Sequence, residues 1–357
     1  MELSFCSNCV LDGSAPDMVL DDKGVCNFCH DAQRELKMAE KEKPNLDKKI
    51  EQIKKDGKGK DYDCLLGLSG GVDSSTTLHH LIKLGLRPLC FSVDNGWQDP
   101  RADENIMRMV EYLKVPFYRY TIDLDKFREL QSAFIKAGLV NIEIPTDHVI
   151  FATTYELAVK YNIKWIISGG NVSEEGVMPP SWSFSARDLV HIKDVYKKMT
   201  GKRLKCLPLL RLWRWNYYRW VRKVRVFYLL DYQKIMYKSS DAKKMLSELY
   251  GWQDYGLKHE ESIFTKWYQN FYLYTKFGID KRKAHYSSLI NSGQMTRQKA
   301  KELLGERPVY PMLGIEEQVM KHPRRRHEEF KMDWVFPMIS GIIRRLRKLK
   351  ETYYEKR

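Results

Sequence analysis

A chain of 357 residues, 43% of them hydrophobic, has enough apolar material for one large domain and a smaller one. No run approaches the uninterrupted apolar length of a bilayer span, and the start Met1-Glu-Leu-Ser-Phe-Cys6 lacks the basic-then-apolar order of a secretory signal, so the expected compartment is the cytoplasm. A formal charge of +15 points to phosphate-rich partners without choosing among nucleotides, nucleotide sugars, nucleic acid and an anionic membrane surface.

Residues 1–35 form a Cys-rich module. Cys6-Ser-Asn-Cys9 and Cys26-Asn-Phe-Cys29 hold four of the seven cysteines in two pairs at the spacing of a zinc ribbon. A closed set of four thiolates leaves no coordination position for a substrate. Its expected role is structural, with Zn2+ binding worth about 10–16 kcal/mol to a module too small for its own core. An iron–sulfur cluster is the rival occupant. Residues 36–60 are strongly charged and read as a helical linker ending in Asp56-Gly-Lys-Gly-Lys60.

From residue 61 to about 200, short apolar runs alternate with amphipathic segments: Cys64–Leu68, a helix from Ser74, Leu89–Val93, a helix from Asp103, Phe117–Tyr120 and Trp165–Ile167. This order predicts an α/β fold, a Rossmann-like parallel sheet with helices on both faces, because strands buried on both sides read as continuous apolar runs. Beyond Gly201 the strand signals fade. Residues 201–326 read as mainly helical through Asp241–Tyr250, Glu260–Lys276 and Thr296–Leu304, and residues 327–357 as a basic amphipathic tail able to touch an anionic membrane or pack on a partner.

Ser69-Gly70-Gly71-Val72-Asp73-Ser74-Ser75 lies between the first strand and its helix, where backbone amides converge on an anion. Gly70 and Gly71 admit phosphate oxygens close to the backbone, and Ser69, Ser74 and Ser75 add neutral donors. No Lys follows the glycines, so the loop suits a departing pyrophosphate rather than γ-phosphate hydrolysis. Asp73 beside phosphates requires a cation between them and is a candidate Mg2+ ligand, the alternative being a helix cap.

The loop resembles the PP-loop of the N-type ATP pyrophosphatases, which include GMP, NAD and asparagine synthetases and several tRNA-modifying enzymes. The resemblance implies an adenine-nucleotide α-hydrolase-like fold that cuts ATP between its α and β phosphates. It also implies an adenine contact at the end of the second strand, here Val93 and Asp94, although Asp94 before Asn95-Gly96 equally reads as turn chemistry. Ser168-Gly169-Gly170-Asn-Val-Ser-Glu174-Glu175 is similar to the Gly-Thr-x-Asn-x-Ser-Glu segment of NAD synthetase, where the Glu helps hold the metal; Glu174 takes that place.

Neither form of glutaminase nucleophile is present, since Glu2 stands where an N-terminal cysteine would follow Met1 and no cysteine sits on an elbow with a downstream His. Ammonia is therefore expected from outside the chain. Cys64, Cys90 and Cys206 are isolated, which argues against sulfur transfer.

Cys6-x-x-Cys-Val-Leu-Asp12, Gly24-Val-Cys-Asn-Phe-Cys29, Ser185-Ala-Arg-Asp-Leu-Val-His191, Gly251-Trp-Gln-Asp-Tyr-Gly-Leu-Lys-His-Glu-Glu-Ser262 and Phe277-Gly-Ile-Asp-Lys-Arg-Lys-Ala-His285 together resemble the N-acetyl sugar amidotransferases, the WbpG-like and PseA-like proteins of bacterial surface-polysaccharide synthesis. The resemblance runs from Cys6 to about Arg326. It implies an ATP-dependent conversion of an acetamido to an acetamidino group on a nucleotide-activated sugar, with ammonia from a HisH-like glutaminase and often a HisF-like partner. Lys258, His259, Lys281 and His285 are then candidate catalytic groups, with the two histidines best suited to proton transfer. Arg187, Asp188, His191 and Arg282 are candidate sugar or phosphate contacts. The rival reading, favoured by the basic charge, is a tRNA-modifying adenylylating enzyme; under the resemblance, nucleic acid is not the expected partner.

Overall fold

The computed structural model describes residues 5–333. The Cys module runs directly into α1 (Asn27–Glu42), whose first turn holds Cys29, and a bend at Pro44 leads to α2 (Leu46–Gly57). The boundary expected at residues 35 and 36 thus falls within one helix, because no breaker interrupts the chain before Pro44.

The sheet domain follows as β1 (Cys64–Gly67), α3 (Val72–Lys83), β2 (Pro88–Asp94), α4 (Pro100–Leu113), β3 (Phe117–Thr121), α5 (Leu124–Ala137), α6 (Ile144–Lys160) and β4 (Trp165–Ser168). Asp99 caps α4 ahead of Pro100, and Asp123 caps α5, each accepting a first-turn amide. Next come α7 (Val172–Glu175), α8 (Leu189–Thr200), α9 (Leu212–Trp220), β5 (Arg225–Tyr228) and α10 (Ser239–Tyr250). The described residues end with α11 (Ile263–Trp267), which continues as a π-helical stretch Tyr268–Phe277, then α12 (Arg282–Asn291), α13 (Arg297–Leu304) and α14 (Glu316–Lys321).

All five strands are parallel, in the order β3-β2-β1-β4-β5. The order reverses direction beside β1, which places a ligand crevice at the carboxyl ends of β1 and β4. Successive residues face opposite sides: Cys64 and Leu66 pack with α2, α3, α4 and α10, whereas Leu65 packs with α6 and α9. The fifth strand comes from the part expected to be helical. Only Phe227 of β5 is buried, and the short apolar run Val226–Leu230 directly follows the basic Arg222-Lys-Val-Arg225, so the edge strand does not stand out from its helical surroundings.

The C-terminal helices are not a separate body. Phe264, Trp267, Tyr272 and Leu273 share one apolar core with Leu11 and Phe28 of the Cys module, Phe134 of α5 and Ile192 of α8. Residues 327–333 also belong to that core rather than to a tail: His327 and Phe330 are buried, and His327 stacks on Phe184 at a ring separation of 4.4 Å. The remainder of the expected tail, from residue 334, lies outside the described residues.

Candidate active site

The phosphate loop leaves β1 and turns into α3 at Val72, two residues earlier than the sequence pattern places the helix. Gly70 has φ +78°, and a Cβ there would lie 2.0 Å from the Ala102 carbonyl oxygen, so both backbone and space require glycine. Segment 252–255 lies across this turn. Trp252 Nε1 donates to the Gly70 carbonyl at 3.2 Å, the Val72 amide donates to Tyr255 Oη at 3.2 Å, and Gln253 and Asn105 exchange hydrogen bonds of 2.7 and 2.8 Å. The serines brace the loop from within, Ser69 N–H donating to Ser74 Oγ at 3.3 Å.

Gly169, after β4, approaches the start of α3 so closely that a Cβ would meet the Asp73 carbonyl carbon and the Ser74 nitrogen at 3.1 Å. Asn171 then caps α7, its side chain accepting the Glu174 amide at 3.0 Å, which fixes Glu174 and Glu175 opposite Asp73. Lys258 Nζ joins the three carboxylates: 2.7 Å to Asp73 Oδ2, 3.2 Å to Glu175 Oε1 and 3.4 Å to Glu174 Oε2. Burial opposes the charge on Lys258, but Asp73, Glu175 and Glu174 outweigh it and hold the ammonium well above the ordinary lysine range.

Asp73 makes no capping bond; its other oxygen accepts from Tyr237 Oη at 2.5 Å. Burial, followed by the charge on Asp73, keeps the Tyr237 phenol protonated far above its usual range. Glu174 is buried, and its second oxygen accepts the Ser239 amide at 2.7 Å. Carboxylate oxygens converging on one cationic position are a hard-ligand set of the kind Mg2+ takes alongside phosphate oxygens.

Asp73, Glu175 and Lys258 line a cavity of about 250 Å³ with Gly169, Gly170, His259 and Glu261 on its walls. His259 takes a left-handed backbone, φ +65°, and its Nε2 lies 3.5 Å from Glu175 Oε1. Nearly half of its side-chain surface is open, yet the protein mass around the cavity lowers its pKa to about 4. His285, on α12, lies behind the metal-type carboxylates with Nδ1 3.1 Å from the Glu174 carbonyl oxygen. A carbonyl only accepts, so Nδ1 carries the proton and Nε2 of the neutral ring is a base. Burial, then Lys258, lowers its pKa as well.

Cys6, Cys9, Cys26 and Cys29 are buried with all four sulfurs within 4.8 Å of one another, and the Cys6–Cys29 and Cys9–Cys26 separations are 3.9 and 3.8 Å. Amides of Cys9, Leu11 and Cys26 point at these sulfurs, and the Asn8 and Asn291 side chains each donate to Cys29 Sγ at 3.3 Å. Asn291 closes α12, and Arg297 donates to the Cys6 and Cys9 carbonyls. One helix therefore joins the cysteine cluster to His285 and the back of Glu174.

Residues 261–342 match the family model described as LPS biosynthesis protein WbpG-like, C-terminal domain. The C-terminal part of the chain is thus a WbpG-like domain. The match reaches past Arg326, where the sequence resemblance was expected to end. No curated protein matches the chain in sequence. Similar solved structures include the NH3-dependent NAD synthetase from Campylobacter jejuni in complex with the nitrate ion, 21% identical over 37% of this chain and 58% of that one, TM-score 0.29. The chain thus spans 58% of that synthetase's length. Two others are the NMN synthetase from Francisella tularensis (14% identity, 65% and 89% coverage, TM-score 0.30) and the U34-tRNA thiolase NcsA from Methanococcus maripaludis with its [4Fe-4S] cluster (12%, 91% and 98%, TM-score 0.33).

The fold thus brings together Ser69, Gly71, Asp73, Ser74, Gly169, Gly170, Glu174, Lys258, His259 and His285, residues from four separate stretches of sequence. Other expected site residues lie elsewhere. Asp94 accepts the Gly96 amide at 3.1 Å, the turn role, and Val93 packs against the Ile122 and Phe127 cluster. Asp188 and His191 are buried in the main core: Asp188 caps α8, and His191 Nε2 meets His327 Nδ1 at 3.0 Å. Arg187 stacks on Trp215, 4.9 Å from the ring centre, and on Phe151. Arg282 is fixed by Asp280 and by the Leu303 and Glu306 carbonyls. Lys281 does not line the cavity; its ammonium contacts Met178. Of these, Arg187, Asp188, His191, Lys281 and Arg282, expected to react or to bind sugar, do not line the cavity, although Lys281 lies near enough to Glu175 to feel its charge.

Four groups at the site were not singled out from the sequence. Glu175, Tyr255 and Glu261 stand inside the very motifs that carry the resemblance, whereas Tyr237 lies in a stretch without any motif and is placed only by folding.

Proposed function

We propose that the protein is an ATP-dependent, AMP- and pyrophosphate-forming amidotransferase synthetase subunit that converts an acetamido group of a nucleotide-activated sugar into an acetamidino group. The reading places it in bacterial surface-polysaccharide (LPS O-antigen) synthesis, with ammonia supplied by a HisH-like glutaminase and a HisF-like subunit as a further partner. The observation carrying it is the meeting of two parts of the chain: a loop built for pyrophosphate, and a WbpG-like C-terminal domain that contributes Glu261 to the same pocket and sets His285 behind Glu174.

An acetamide is a weak electrophile. Attack of its oxygen on the α-phosphorus forms a C–O–P bond, breaks the bond to pyrophosphate and releases the amide proton. Ammonia then adds to the activated carbon, the C–O bond breaks, and AMP leaves. Gly70, Gly71 and the first turn of α3 hold the outer phosphates, and Lys258 stands where negative charge grows on the departing pyrophosphate. His259 and His285, neutral at working pH, take up the protons released. Asp73 and Glu174 would hold Mg2+, which screens the phosphates from the carboxylates when bound.

For the cysteine cluster, sulfur separations of 3.8–3.9 Å fit the edge of a tetrahedron about one ion with bonds of about 2.3 Å, the zinc geometry. A cubane of four irons holds its cysteine sulfurs farther apart, so Zn2+ is the proposed occupant. The competing function, tRNA modification, draws on the charge of +15 alone. Mass analysis after mixing the protein, ATP, an ammonium salt and UDP- or CMP-linked acetamido sugars tests the reading: AMP, pyrophosphate and an amidine are expected, with none formed by Asp73→Ala. Formation of ADP, or salt-sensitive tRNA binding with nucleotide turnover that depends on tRNA, would overturn it.

A further inference from the structure

Helix α9, Leu212–Trp220, holds three tryptophans and two tyrosines, and the fold divides them by helical period. Trp215 and Tyr218 are 8% and 4% exposed and pack on the sheet face beside α6. Trp213, Tyr217 and Trp220, at i, i+4 and i+7, form the opposite stripe, with Trp213 and Trp220 exposed by 65% and 75%. Val221 continues the stripe, and the adjoining edge strand β5 exposes Val226 and Tyr228. The inner pair fastens the helix, so the outer aromatics stand on a rigid platform.

The charge around this face is predominantly positive. No acidic residue occurs between Asp194 and Asp231, a stretch that includes Arg211, Arg214, Arg219, Arg222, Lys223 and Arg225. Arg214 reaches Glu156 at 3.7 Å, and Arg219 stacks between Trp215 and Trp220. A stripe of large apolar side chains this exposed marks a surface that something covers. Tryptophan and tyrosine rimmed by arginine and lysine is the composition that settles at the headgroup level of a bilayer, and anionic headgroups complement the charge. The aliphatic Val221 and Val226 suit lipid better than they suit the stacked bases of a nucleic acid.

We propose that the α9–β5 face is a peripheral docking surface for an anionic phospholipid bilayer. The inference stands apart from the amidotransferase reading, since it concerns where the protein sits rather than what it converts. Co-sedimentation of the full chain with phosphatidylcholine vesicles, with and without phosphatidylglycerol, tests it, comparing the natural protein with the Trp213→Ser/Trp220→Ser double variant and with Arg222→Glu. Binding that needs phosphatidylglycerol, weakens with salt, and falls about tenfold or more in the double variant is expected. Both altered tryptophans are exposed, so unchanged circular dichroism accompanies the loss. The basic C-terminal segment is the same in every protein compared, so retention of full binding by the variants would assign attachment to that segment and overturn the proposal. Absence of binding by the natural protein would do the same, as would a variant that keeps vesicle binding but loses association with tRNA or with an acidic protein.

Discussion

Lys258 stands where three carboxylates meet, and its charge decides whether they can share that space. Glu174 is almost wholly buried, and Lys258 itself is only 10% exposed, so the cluster is not a surface ion pair that solvent would screen away. Replacing the ammonium by a methyl thioether leaves Asp73, Glu174 and Glu175 facing one another. For Lys258→Met, a loss of about 3 kcal/mol in stability and a fall of about 10²-fold or more in AMP formation are expected. Because Mg2+ can replace the missing charge, Mg2+ should raise the Tm of Lys258→Met more than that of the natural protein. Equal Mg2+ responses in thermal denaturation would contradict the assignment of these carboxylates as ion ligands. Lys258 could be picked out in the sequence by its polar neighbours, but its three partners could not, because Asp73, Glu174 and Glu175 reach it across more than eighty residues of chain.

Among the elements, α12 does the most to couple distant parts. Its N-terminal half holds His285 against the Glu174 carbonyl, Ser288 accepts the Val177 amide, and Asn291 at its end donates to Cys29 Sγ. The cysteine cluster is thus a support for one wall of the active site and not an isolated tag. Four buried thiols crowded within 4.8 Å repel once ionised unless a metal ion binds them. Chelation should therefore lower Tm and also slow AMP formation, although the cluster contacts neither nucleotide loop. Metal analysis of the purified protein, followed by Tm and AMP measurements after chelation and Zn2+ return, checks both effects. Recovery with Zn2+ of stability but not of rate would break the proposed link through α12. The two Cys pairs were legible as a candidate metal site from spacing alone, whereas their docking on α12 was not, since it depends on contacts nearly three hundred residues away.

At the scale of the whole molecule, stability rests on a core shared by the Cys module, α5, α8 and the π-helical stretch, closed on one side by the His191–His327 pair. Burial lowers the pKa of His191 to about 4; burial and then His191 lower that of His327 to about 3. Both rings are therefore neutral in the fold but accept protons readily once unfolded, where the ordinary value is 6.5. Their contribution is complete above pH 6.5 and is lost as pH falls from there towards 4 and 3. His327→Phe, which keeps the stack on Phe184, should flatten the acid side of a Tm-against-pH curve in that window; an unchanged slope would remove the pair from the account of acid sensitivity. His191 carries a motif that looked like substrate binding. Its polar character, read without neighbours, could not reveal that it is 0% exposed.

By itself the sequence determined what local rules govern: the parallel α/β order, because strands buried on both faces leave unbroken apolar runs; the phosphate turn, because paired glycines between a strand and a helix open the backbone to an anion; and the paired cysteines, whose spacing suits a metal ion. Tertiary structure decided everything that depends on which surfaces meet. It added β5, a four-residue edge strand within a stretch read as helical, moved Asp188, His191 and Arg282 from substrate contact to structural duty, and brought Tyr237 to Asp73. The physical reason is that a charged or polar side chain has the same chemistry in a cap, a core pair or an active site, and only its partners, brought from far along the chain, separate those roles.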